Sequence, residues 1–147
     1  MKQVLEFIYN INPNEAETLL GNLATAASCV AHNAPSLKAA MGAQGLVKTL
    51  SDDIPLWFIT DRRKHIILPF LLSLCYNDEN NMNIMKESLS SDTLKDYIEK
   101  MNNQLVNWET LELHEPKKED NISTRRLLCS VSLRFPVYLW DNVLKDL

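Results

Sequence analysis

The side chains able to do chemistry are three cysteines, three histidines, a few neighbouring carboxylates and two runs of basic residues. Cys29-x-x-His32 could seed a metal site. Zinc needs four donors around one point, and no second ligand pair stands nearby. His65, Cys75 and Cys129 complete no metal-ligand spacing. A cysteine nucleophile fails on placement. Each cysteine lies in an apolar helical run, where burial raises the thiol pKa and makes it inert. The expectation is three reduced, buried thiols. No sharp turn of the kind that presents a serine nucleophile is present. Gly42-x-x-Gly45 lacks the following lysine that phosphate cradles use. Asp52-Asp53 and Asp78-Glu79 fall between helical runs and read as solvated surface or caps. Neither a catalytic set, a metal nor a cofactor is expected.

The basic runs are more informative. Asp61-Arg62-Arg63-Lys64-His65 opens a helix, and positive charge there opposes the helix dipole. A solvated first turn, with Asp61 pairing to an arginine, is the plain alternative. The small electrostatic cost favours a contact with an acidic protein surface or a phosphate backbone. Arg62, Arg63 and Lys64 are therefore one expected partner-binding set. Lys117, Lys118, Arg125 and Arg126, with Arg134 beyond them, form a second. Trp57, Phe58, Trp108 and Tyr138 suit core or interface, and Trp57 with Phe58 is expected to plug a junction between units.

These residues must be carried by helices. The chain has 147 residues, 46% apolar, with only three glycines. That is enough for one core and favours helix over strand. The net charge of -4 argues against coating nucleic acid non-specifically. No run is long and apolar enough to span a membrane, and the expected setting is the cytosol.

The periodicity predicts a short helical segment over Val4 to Ile11. A helix follows from Pro13 with Leu19, Leu20, Leu23, Ala27, Val30 and Ala31 at helical spacing. Asn33 ends it. Pro35 starts a short helix, and the Gly42 to Gly45 turn opens a third. Asp61 is a plausible N-cap for a helix apolar almost all round from Ile66 to Tyr76, with Pro69 expected to kink or break it. A polar turn over 77–81, a short helix from Asn83 to Leu89 and a Ser91- or Asp92-capped helix follow. That last helix carries Leu94, Tyr97, Ile98, Met101 and Leu105. Residues 110–121 lack apolar periodicity and read as an exposed loop. Ser123 to Phe135 and a last helix opened by Pro136 close the chain.

The order of long helix, short helix, third helix restarts after Asn77, forty-four residues beyond Asn33. Armadillo and HEAT units repeat every 40–47 residues or so. The expected fold is all-α: an armadillo/HEAT-like helical repeat, a right-handed α-solenoid fragment of about two repeats plus capping helices.

Ile54 to Ile98 carries a resemblance. Trp57-Phe58, the Asp61-Arg62-Arg63 helix start, Leu68-Pro69, Cys75-Tyr76-Asn77 and the Asn-rich turn resemble the C-terminal domain of the S-phase cyclin A-associated protein in the endoplasmic reticulum (SCAPER) family. Arg134-Phe135-Pro136 followed by Trp140 is similar to the end of that domain. The resemblance implies an excised, non-enzymatic adaptor domain. It would join a ribosome-bound tetratricopeptide adaptor that reads nascent tubulin, and recruit a deadenylase complex to degrade tubulin messenger RNA. It implies protein partners and a place at the cytosolic face of the endoplasmic reticulum. A ribosomal RNA phosphate contact is one form that binding by the two basic sets would take, and neither membrane insertion nor a small-molecule substrate is expected. The rival expectations are a structural cap of a longer solenoid and a small hydrolase or metal enzyme.

Overall fold

Two kinds of residue punctuate the first half of the chain. Pro35 fixes φ at a helix start where no N–H partner is needed. Gly45 takes the left-handed conformation (φ 79) that a tight turn demands. Between such stops the computed structural model describes residues 13–52, 61–114 and 119–147, with side chains over 15–52, 62–105 and 123–147. The expected segment over Val4 to Ile11, the Leu56 to Ile59 run with Trp57 and Phe58, the side chains of Asp61 and Trp108, and Lys117 and Lys118 lie outside these.

Among the described residues the chain forms eight α-helices and one 3-10 turn, and no strand. They are α1 Pro13–Asn33, α2 Pro35–Ala43, α3 Leu46–Asp52, α4 Asp61–Cys75, α5 Glu79–Ser88, α6 Ser91–His114, α7 Glu119–Arg134, a 3-10 turn Val137–Leu139, and α8 Trp140–Asp146. The all-α class is as expected. Every residue from Ile66 to Cys75 is buried, so α4 is the central element. It packs against α1, α2, α3, α5 and α7. Pro69 does not break it. The helix runs through to Cys75, because burial on every side outweighs the one hydrogen bond a proline removes.

The core face of α1 differs from expectation. Ala16, Leu20, Ala24 and Ala31 are buried, with Ser28 among them. This stripe of small residues lets α1 lie close to α4, where the Ser73 hydroxyl donates to Ser28 Oγ at 3.2 Å. Leu19, Leu23 and Val30 point outward instead, 36%, 42% and 38% exposed. Close helix packing rewards small side chains on the contact stripe, and that rotates the larger ones to its edge.

The α2–α4–α5 corner is polar inside. Lys38 is buried and its Nζ donates to the Tyr76 carbonyl at 2.5 Å. Asn81 is also buried. Its amide donates to the Leu74 carbonyl at 2.9 Å and the Lys38 carbonyl at 3.4 Å. These bonds satisfy the end of α4, whose last carbonyls lack helical partners. Asn77 turns the chain with φ 54, and Asp78 caps α5 by accepting from the Asn81 N–H at 3.0 Å. The polar stretch read as a turn thus begins α5 at Glu79, earlier than its apolar residues signal.

Residues 110–114 complete α6 and residues 119–121 begin α7, so those parts of the expected 110–121 loop are helical. A helix already propagating needs little apolar signal to add another turn. α6 buries Leu94, Tyr97, Ile98 and Met101, as its spacing predicts. Trp140 and Val143 of α8 are buried, and Leu144 and Leu147 pack against the core beside them. The Trp140 indole N–H donates to the Phe135 carbonyl at 3.2 Å, which ties the chain end to α7.

Candidate functional site

Three helices converge on one open cleft of about 390 Å³. α1 supplies Glu17, Thr18, Gly21 and Asn22, α4 supplies Arg62, His65 and Ile66, and α7 supplies Arg126, Leu127, Ser130 and Arg134. The cleft exists because the small face of α1 and the apolar face of α7 both seat on α4, leaving a seam where their polar edges meet.

Glu17 anchors the α4 wall. Its carboxylate is 3.3 Å from Arg63 Nε and 3.6 Å from Arg62 Nε. The Arg63 side chain is 15% exposed and that of Arg62 is 67% exposed, so Arg63 is fixed in the seam while Arg62 reaches outward. The expected first set is therefore partly engaged within the molecule. The α1 carboxylate relieves the dipole mismatch at the start of α4. Lys64 is half-buried beside them.

Arg134 forms the floor. It is buried, although the sequence grouped it with surface cations. Nη1 donates to the Ser130 carbonyl at 3.0 Å and to Ser130 Oγ at 2.9 Å, and Nη2 donates to the Gly21 carbonyl at 3.3 Å. A side chain at Gly21 would meet Nη2 at 3.2 Å, so glycine makes room for this approach. The Nε atom is sealed from solvent without a hydrogen-bond partner. Among the described residues no carboxylate lies within ion-pair distance of Arg134. Burial pulls its guanidinium below the usual arginine range, and the nearby Tyr97 phenol opposes that. Tyr97 in turn is pushed up by burial, and its hydroxyl sits 3.2 Å from His65 Nδ1.

From the second set, Arg125 and Arg126 are exposed on α7, and Arg126 lines the cleft. The structure thus brings Arg62 and Arg126 together, adds Arg134, and turns Arg63 inward. A shallow hollow formed by Glu15, Thr18, Leu19 and Asn22 shares Thr18 and Asn22 with the cleft, so the exposed leucine edge of α1 continues from it. No signal in the sequence pairs residue 17 with residues 62 and 63, because the pairing depends on how α1 crosses α4.

The thiols are free. Cys75 is buried, which pushes its thiol well above the ordinary range. Cys29 and Cys129 are exposed, contrary to expectation. They lie on the outer faces of α1 and α7, where only the opposite stripes are buried. Among the described residues no group of three or more His, Cys, Asp or Glu is placed to hold a metal ion, and no helix is long and apolar enough to cross a membrane. No family model matches the chain, and neither the curated proteins nor the solved structures give a significant match.

Proposed function

We propose that the chain is a non-enzymatic protein-interaction adaptor domain with the armadillo-like solenoid character that its resemblance to the SCAPER C-terminal domain implies. On this reading it joins a ribosome-bound tetratricopeptide adaptor and recruits a deadenylase complex for tubulin messenger RNA decay. One observation supports a docking role above others. Leu19 and Leu23 stand exposed on α1 beside a cleft rimmed by Arg62 and Arg126. Apolar anchors next to positioned cations give a protein surface both affinity and orientation.

The test is affinity capture from cytosolic extract with the tagged chain and its Leu23→Asp variant. Leu23 is 42% exposed, so the variant should keep its fold by circular dichroism. Recovery of ribosomal or deadenylase components by the parent chain, and their loss with the variant, supports the reading. Recovery of neither overturns it. The same exposed edge also suits a cap covered by a neighbouring repeat of a longer solenoid. In that case the parent chain self-associates in sedimentation and Leu23→Asp stays monomeric.

A further inference from the structure

Among the described residues the arginine cleft carries more positive than negative charge. Three guanidinium groups, of Arg62, Arg126 and Arg134, line it against one described carboxylate, that of Glu17. That carboxylate is already shared between Arg62 and Arg63. Arg134 is buried and bonded only to neutral oxygens, with Nε unpartnered. Among the described residues Arg126 makes no ion pair. A buried cation without a counter-charge is unfavourable by several kcal/mol or so in general, unless a ligand supplies the missing charge. This excess sits on a chain whose net charge is -4.

We propose that the cleft between α1, α4 and α7 is a phosphate-binding site that takes a phosphorylated serine or threonine of a partner protein. Guanidinium groups converging from separate helices match a phosphate, whose oxygens accept paired N–H bonds. The Ser130 hydroxyl and the Asn22 amide, also in the lining, add uncharged donors. The cleft is a single concavity and not a track of cations, whereas a nucleic-acid backbone is held by many phosphate contacts in succession. The apolar edge at Leu19 continues from its rim and suits the residues flanking a phosphorylated side chain. The proposal does not depend on the adaptor reading, since the charge imbalance among the described residues involves this chain alone.

The experiment is a titration of the ¹⁵N-labelled 147-residue chain with inorganic phosphate, a phosphoserine peptide, its unphosphorylated twin and a short single-stranded RNA, at matched ionic strength. Expected are saturable amide shifts confined to 17–22, 62–66 and 126–134 with phosphate, and tighter binding of the phosphopeptide than of free phosphate. The unphosphorylated peptide should leave these amides unmoved. Arg126→Gln, at an exposed position, should keep the spectrum of the folded chain and weaken phosphopeptide binding by about tenfold, the loss of one charge-assisted contact. Shifts that do not saturate, or that Arg126→Gln leaves unchanged, overturn the site. RNA binding at the same amides more tightly than the phosphopeptide overturns the choice of partner.

Discussion

A single carboxylate decides how the start of α4 is held. The Glu17 side chain is 9% exposed and faces Arg63, which is nearly as enclosed. Glu17→Gln should lower stability by about 2 kcal/mol, because it removes the negative charge that faces a largely buried guanidinium. Arg62→Gln should cost under about 0.5 kcal/mol, because that partner is solvated and screened. Urea melts of the two variants check the contrast. Reversing Arg62 and Arg63 together to glutamate gathers three carboxylates at one seam, so it should unfold the chain more readily as well as alter binding.

Buried acids set the alkaline limit. The Cys75 thiol ordinarily ionises near 9.0 and the Tyr97 phenol near 10.0, and burial raises both in the folded chain. Their stabilising contribution is complete below those values and is lost as pH rises beyond them, since the unfolded chain then releases protons that the folded chain keeps. Each group removes about 1.4 kcal/mol per pH unit once its unfolded form has ionised. Lys38 acts in the opposite sense. Burial lowers its pKa from 10.5, so deprotonation there favours the folded state as pH approaches that value. Two groups outweigh one once both have begun to ionise in the unfolded chain, so urea midpoints should fall above about pH 10.0. Cys75→Ala leaves Tyr97 alone against Lys38 and should make that fall shallower.

At the scale of elements, two glycines near the end of α2 play unlike roles. A methyl at Gly42 would lie 1.7 Å from the Asn81 side-chain oxygen, whereas at Gly45 nothing is within 4 Å. Gly42→Ala should therefore cost about 3 kcal/mol through overpacking, despite better helix propensity. Gly45→Ala should cost about 1 kcal/mol, the strain of a side chain at positive φ. Thermal melts of the pair separate the two mechanisms. Elements whose signal is local were legible in the sequence. Asn33, Pro35 and Gly45 marked the first boundaries, and the spacing of Leu94, Tyr97, Ile98 and Met101 marked the buried face of α6. Elements with a weak apolar signal were not. The polar start of α5 and the ends of α6 and α7 around 110–121 rest on capping and helix propagation, which periodicity does not report.

At the scale of the molecule, α4 packs against α1, α2, α3, α5 and α7 and meets α6 where His65 faces Tyr97, so these helices share one core. The chain should unfold in urea as one transition, with far-UV circular dichroism and tryptophan emission tracing the same curve. Stacked repeats that contact only their neighbours would let the two curves separate. The candidate site belongs to this scale as well. Arg62 and Arg126 were legible as cations, but the cleft depends on residues from three helices, and Arg134 joins it across 113 positions of sequence to reach Gly21. Spacing along the chain cannot encode that approach. The same holds for Lys38, whose burial follows from a carbonyl thirty-eight residues away.

The contact between Gly42 and Asn81 also bears on descent. A side chain at 42 would collide with the Asn81 amide, so the two positions should change together. A smaller residue at 81 would make room for it and give up the tie that closes the end of the central helix.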